Sequence, residues 1–201
     1  PGSTLVPYPT LFRSTQINNT ATLTIQAGAE LQFASGRHLD IGSNSTSTGT
    51  LIAEGTPDAP ITFTSAQAAP QAGDWGGIYL YQYDGGSSLL NAVIEYGTNN
   101  INIASSSPVI EKCTIRYGST SGIYIPTAVT PSIFCSTITA NGIGISLTGN
   151  ADPYLHDNDI YGNTTYGLSS YNYNTTVTAE DNCLGAAGGQ GSGGAASVYT
   201  R

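Results

Sequence analysis

Charge is scarce in this 201-residue chain, cysteine occurs three times, and methionine is absent. Only 9% of the residues are charged, with five Lys and Arg against thirteen Asp and Glu, for a formal net charge of −8. Phosphate neutralisation needs clustered cations, so nucleic acid is excluded as a partner, and an anionic membrane surface with it. No apolar run approaches the roughly 20 residues of a membrane-spanning helix, so no membrane insertion is expected. The three cysteines are too few for a disulfide framework and lack the spacing of a zinc site. Helical periodicity is missing over any useful length. The chain lacks Met and begins at Pro1, so it is expected to be a processed or excised piece of a longer precursor, with any secretion signal out of view. Low cationic content, abundant Thr and Asn and acidic character together point to a secreted, extracellular or cell-surface location.

What is present is a repeat. Pro108-Val-Ile-Glu-Lys-Cys-Thr-Ile115 returns as Pro131-Ser-Ile-Phe-Cys-Ser-Thr-Ile138 and again as Pro153-Tyr-Leu-His-Asp-Asn-Asp-Ile160, with Ile-to-Ile steps of 23 and 22 residues. A degenerate copy, Ser87-Ser-Leu-Leu-Asn-Ala-Val-Ile94, lies 21 residues upstream. Short apolar–polar alternations precede it: Thr22–Ile25, Glu30–Phe33, His38–Ile41, Thr50–Ala53 and Ile61–Thr64, separated by Gly, Asn, Ser, Asp and Pro. A repeat of this length built from short strands is the mark of a solenoid, because no single coil could bury its apolar face alone. The expected fold is therefore all-β, a single-stranded right-handed parallel β-helix of about seven to eight coils with roughly 22 residues each. Its interior should hold columns of like residues: Ile94, Ile115, Ile138 and Ile160 in one; Leu89, Ile110, Ile133 and Leu155 in another; Ile103, Ile125, Ile145 and Leu168 in a third.

The helix is expected to occupy residues 20–184 as one domain. Residues 1–19 are expected to be an extended segment outside the repeats, since two prolines exclude a helix there. Within them Thr4-Leu-Val-Pro-Tyr-Pro-Thr-Leu-Phe-Arg-Ser14 resembles the translated read of a sequencing adapter, TLFPYTTLFRS, departing from it only at Val6 and Pro9. Two readings of it stand open, an assembly artefact and a genuine arm. Residues 185–201 begin with a Gly-rich run of linker composition.

The segment Gly49-Thr-Leu-Ile-Ala-Glu-Gly-Thr-Pro-Asp-Ala-Pro-Ile-Thr-Phe-Thr-Ser65, followed by Gly73-Asp-Trp-Gly-Gly-Ile78, resembles the right-handed parallel β-helix family of secreted bacterial surface proteins, within the pectin-lyase-like superfamily. The three Pro-to-Ile repeats resemble it too. That resemblance implies the fold and leaves function open, because the family includes pectate lyases, polygalacturonase-like hydrolases and alginate epimerases beside non-enzymatic modules.

Hydrolysis of a glycosidic bond needs two carboxylates facing one groove, and lyase chemistry needs a base beside a calcium held by several carboxylates. Lys112 and Arg116 are the only cations within the repeats; Arg37 lies earlier, and Arg13 and Arg201 fall outside the coils. The best acidic group is Asp152, Asp157 and Asp159, with His156 between them, a weak calcium candidate that the repeat assigns instead to turns and an outward face. No catalytic residue and no cofactor is assigned. His38 and His156 are expected to be exposed strand residues, and the Asp74-Trp75 pair a turn whose aromatic covers a corner. Outward positions beside the Ile column read Val93/Glu95, Thr114/Arg116, Thr137/Thr139 and Asp159/Tyr161, so charges break any flat Thr ladder of the ice-binding kind, and Glu95 with Arg116 should form an exposed ion pair. Cys113 and Cys135 lie near one coil step apart, within reach of a disulfide, whereas Cys183 is two coils beyond Cys135. Asn18, Asn44, Asn163 and Asn174 each open an N-glycosylation sequon.

Thirteen tyrosines against five cations is the most unusual balance. Tyr79, Tyr81 and Tyr83 alternate along one face, and Tyr96 and Tyr117 occupy equivalent positions of successive coils. These five are the candidates for carbohydrate contact, aromatic planes taking the apolar faces of sugar rings. The leading expectation is an extracellular structural or adhesive module. It could assemble end to end as a homo-oligomer, with residues 1–19 or 185–201 adding a strand to a neighbour's open coil. A carbohydrate-binding module with a glycan partner is the alternative, and a polysaccharide lyase or hydrolase the third.

Overall fold

The computed structural model describes residues 3–5, 10–12, 14–43, 48–171, 177–185 and 198–200. Its strands fall into three parallel sheets of eight strands, here sheets I, II and III, which the chain visits in strict rotation. The coil Val109–Glu111, Thr114–Arg116, Ser121–Ile125 contributes one strand to each and pairs with the next coil, Ser132–Phe134, Thr137–Thr139, Ile143–Leu147. A strand that returns to its own sheet through a crossover does so right-handed, and the architecture is the expected right-handed parallel β-helix.

The interior columns explain why these residues form strands. Ile94, Ile115, Ile138 and Ile160 stack in sheet II, preceded by Phe63 and Leu31. Leu89, Ile110, Ile133 and Leu155 stack in sheet I. All are buried, each contributing about 1.5–3 kcal/mol by leaving water. The third expected column needs correction. Ile145 and Leu168 stack on Ile123 and Ile101, whereas Ile103 and Ile125 belong to a second inward column that continues to Leu147. The sheet III strands Asn99–Ile103, Ser121–Ile125 and Ile143–Leu147 are five residues long and bury two apolar residues each, so a register read from single positions slipped by two.

The sheets also run past the boundaries expected at residues 20 and 184. Ser3–Leu5, Thr10–Phe12 and Thr15–Ile17 pair with the coil that follows, one strand in each sheet, and Val198–Thr200 pairs with Tyr166–Ser170. The early coils hid this because they are longer: Leu51 and Ser87 are coil neighbours 36 residues apart.

Two corners recur with backbone in the left-handed region. Between sheets I and II, Asn91, Lys112, Cys135, Asp157 and Asp181 have φ of 46–56°; between sheets II and III, Tyr96, Tyr117 and Ala140 have φ of 55–64°. Such residues are strained by their Cβ, and the strain is offset by side-chain ladders just inside each corner. At the first, Asn158 Nδ2 donates to Ile133 O (2.8 Å) while its backbone N–H donates to Asn182 Oδ1 (3.0 Å), and Ser136 N donates to Asn158 Oδ1 (3.0 Å). At the second, Gly118 N donates to Asn141 Oδ1 (2.8 Å) and Asn141 N to Asn163 Oδ1 (3.0 Å). Each ladder satisfies backbone donors that a tight corner would otherwise leave buried and unpaired.

The Gly73–Ile78 segment closes the core at one place. Asp74 Oδ2 accepts from Ser65 Oγ (2.6 Å) and Gln71 N (2.9 Å), forming the turn expected of it. Trp75 is fully buried, stacks on Phe33 at 4.2 Å, and donates from Nε1 to Glu95 O at 2.7 Å. Gly77 has φ of 114°, and a Cβ there would lie 1.8 Å from Asn99 O.

Candidate functional site

With like residues inside, function must be carried outside, and the outward columns differ sharply between sheets. The central outward column of sheet III reads Gln16, Asp40, Tyr79, Asn102, Tyr124, Ser146, Ser169. One position further along the strands, Gly42, Tyr81 and Ala104 are neighbours in successive coils, as Tyr81 N donates to Ile41 O and Ala104 N to Leu80 O.

Tyr79 and Tyr81 stack with ring centroids 6.0 Å apart, and the His38 ring lies 5.4 Å from that of Tyr79. The strand Gly77–Leu80 ends before Tyr81, so Tyr83 stands in the following turn rather than on the same strand face. It still joins Tyr81: Gly42, Ser43, Tyr81, Gln82, Tyr83, Ala104 and Ser105 line an open cleft of about 280 Å³ at the downstream end of sheet III.

Beside Tyr79 in the outward column stands Asp40, only 4% exposed although it points outward. His38 Nε2 is 3.3 Å from its Oδ2. Burial pushes the Asp40 carboxyl above the ordinary carboxylate range, with His38, Gln16 and Tyr81 as donors pulling the other way. Tyr81 in turn is raised by its own burial and by the Asp40 charge. Asp40 Oδ1 and Asn102 Oδ1 are both buried without a hydrogen-bond partner, one on each side of Tyr79 in the column. Asp84, next to Tyr83, is also raised by burial, but its carboxylate is taken up by Ser87 N (3.1 Å) and by close contact with Ser87 Oγ, as a turn anchor.

Tyr96 and Tyr117 belong elsewhere. They occupy the left-handed corner between sheets II and III and stack on each other at 5.0 Å, with the Arg116 guanidinium 5.3 Å from the Tyr117 ring. The five candidate tyrosines are therefore two groups, and Tyr81 and Tyr83 of the first line a cleft. An aromatic surface that the sequence reading passed over lies on sheet I. There Phe134 stacks on His156 at 5.0 Å and Tyr154 is tilted against it at 4.6 Å, with His156 Nδ1 2.8 Å from Asp157 Oδ2. Its signal was available in the i, j alignment of two repeats, Phe134 over His156.

Several expectations change at this level. Asp152, Asp157 and Asp159 are all exposed but do not converge. Asp157 sits on the corner and Asp159 on the outer face of sheet II, and among the described residues no three His, Cys, Asp or Glu are grouped to hold a metal. The possible disulfide between Cys113 and Cys135 is not formed: both are free thiols, and so is Cys183. Cys113 points inward with Sγ near Glu111 O (3.2 Å), whereas Cys135 is the exposed left-handed corner residue of the next coil, so their Cβ vectors diverge. Glu95 and Arg116 do pair, at 2.7 Å, but not on an open surface: Glu95 is 9% exposed and also accepts from Thr64 Oγ1 at 2.9 Å. Lys112 is exposed and bonds Glu111 at 2.6 Å. Neither cation lies on sheet III. His38 and His156 are both half-buried and ring-packed rather than free on the surface. Of the sequons, Asn163 is buried in its ladder and Asn18 is half-buried; Asn44 and Asn174 lie outside the described residues.

Comparison with known proteins agrees with this architecture. The family model described as a pectate-lyase-like beta helix domain matches residues 8–121. That described as a right handed beta helix region matches residues 76–197. No curated protein and no solved structure matches the chain.

Proposed function

The chain belongs to the right-handed parallel β-helix family, and we propose that it is an extracellular adhesive module that binds glycan through sheet III. The observation that carries this is the run of His38, Tyr79 and Tyr81 rings along that sheet, ending in the cleft shared by Tyr81 and Tyr83. Sugar rings present apolar CH faces that pack on aromatic planes while hydroxyls reach flanking polar groups. Gln82, Ser43 and Ser105 supply those groups at the cleft.

The reading is non-catalytic. Glycoside hydrolysis calls for a second carboxylate across the groove from the first, and Asp84, which follows the cleft residue Tyr83, is bound into its own turn. The bases that a lyase would use, Lys112 and Arg116, are committed to Glu111 and Glu95 on other faces. End-to-end assembly draws less support, since the end segments expected to reach a neighbour pair with the chain's own coils.

A glycan array followed by affinity electrophoresis tests the proposal. The native chain should be retained by at least one polysaccharide, and Tyr79→Ala with Tyr81→Ala should abolish retention while leaving the circular dichroism of the sheets intact. Retention that survives the double substitution would place the binding surface elsewhere.

A further inference from the structure

We infer that the sheet III face selects uncharged saccharides and discriminates against uronate polymers. This rests on the glycan-binding reading above and names the ligand class that the same site takes. Two observations lead to it.

The first is that, among the described residues, no positive group lines the cleft. All seven cleft residues, Gly42, Ser43, Tyr81, Gln82, Tyr83, Ala104 and Ser105, are uncharged. Arg37 is exposed but precedes the strand His38–Ile41, whereas the cleft begins after it at Gly42. Five residues of extended chain separate them, about 16 Å at the usual rise. Lys112 and Arg116 are paired on other faces.

The second is the sign of the charge that is present. Asp40 stands beside Tyr79 in the outward column, and His38 pairs with its Oδ2. Asp84 adds a second carboxyl at the cleft's edge. A polyanion laid over the cleft meets repulsion with no cation in its lining to offset it, at distances shorter than the roughly 8–10 Å over which salt screens.

The test is affinity electrophoresis of the whole chain at low and at moderate salt. Soluble β-glucan, galactomannan and galactan serve as neutral probes, polygalacturonate and alginate as uronate probes. The expected result is retention by a neutral polymer that changes little with salt, and uronate binding at least about tenfold weaker at low salt. Asp40→Asn should narrow that gap several-fold, read as the ratio of neutral to uronate retention by the same variant, a result that a purely structural role for Asp40 does not produce. Equal or tighter binding of polygalacturonate, lost on Tyr81→Ala, would overturn the selectivity while leaving the glycan-binding site standing. Retention by none of the five polymers would overturn both.

Discussion

Replacing Asn141 with alanine should be among the most damaging single changes in the chain, although it touches neither the apolar columns nor the tyrosine face. Asn141 is 1% exposed at the corner between sheets II and III. Its Oδ1 accepts from Gly118 N (2.8 Å) and Asn100 Nδ2 (3.2 Å), and its Nδ2 donates to Ile115 O and Thr139 O, both at 3.0 Å. Alanine removes the acceptor of the buried Gly118 N–H, an orphaned donor worth about 2 kcal/mol, and two side-chain bonds to carbonyls at about 1 kcal/mol each. The expected loss is about 4 kcal/mol, a large part of the roughly 5–15 kcal/mol that holds an ordinary domain together. Urea denaturation followed by Trp75 fluorescence measures it, as Trp75 is the chain's one tryptophan and is fully buried. The contrast is Asn99→Ala at the head of the neighbouring strand. Its Oδ1 is buried without a partner, so its removal should change stability by no more than about 0.5 kcal/mol, and in the favourable direction. A loss under about 1 kcal/mol for Asn141→Ala, or equal losses for the two variants, would refute the view that the ladder stabilises the corner.

Three further outcomes follow from the geometry. Glu95→Ala should destabilise by about 2–3 kcal/mol, because it strands Arg116 and Thr64 Oγ1 together, and Glu95→Gln should recover part of this in thermal unfolding. Burial pushes the Cys113 thiol up to about 12, so at pH 8 only about one thiolate in ten thousand is available for alkylation. Mass spectrometry after brief iodoacetamide treatment should therefore show label on Cys135 and Cys183, with Cys113 modified only once the chain unfolds. Asp40 and Asp84 both titrate above the ordinary carboxylate value in the folded chain, chiefly through burial. Between the unfolded and folded values the folded state then binds more protons, so their contribution makes stability fall as pH rises through that window. Asp40→Asn should flatten the fall, seen as a smaller difference between unfolding midpoints measured at the two ends of the window.

The inward pattern was legible because burial repeats. Ile94, Ile115, Ile138 and Ile160 are four solutions to one problem, and any substitution there would leave a cavity. Regular spacing of 21–23 residues therefore gave sheets I and II their register. Sheet III was read with a two-residue slip because its strands bury a pair of apolar residues, so Ile103 and Ile101 compete for the same alignment. The N-terminal coil escaped for a related reason. The early coils carry insertions, including the excursion that brings Trp75 back under the roof, and a period cannot be counted where every step differs. The asparagine ladders were invisible for a third reason: Asn141, Asn158 and Asn163 look like turn residues in a chain full of Asn, and only stacking shows that their amides point inward.

That division also bears on where recognition can evolve. An inward change at Ile138 must fit two neighbouring coils, and a corner change at Asn141 must satisfy amides from more than one. Outward positions are coupled more loosely, through surface ring contacts such as His38 with Tyr79 and Phe134 with His156. The sheet III column passes from Asp40 to Tyr79 to Asn102 to Tyr124 in four successive coils without a shared chemistry. Sheet I likewise passes from Glu111 to Phe134 to His156. Each coil thus offers its own outward side chain held about 4.8 Å from the next, close to the length of a sugar ring. A rigid rod of this kind can present aromatic and polar groups at that spacing along a linear polymer, and it is the placement of Tyr79, Tyr81 and Asp40 on one such face that makes sheet III the surface to test.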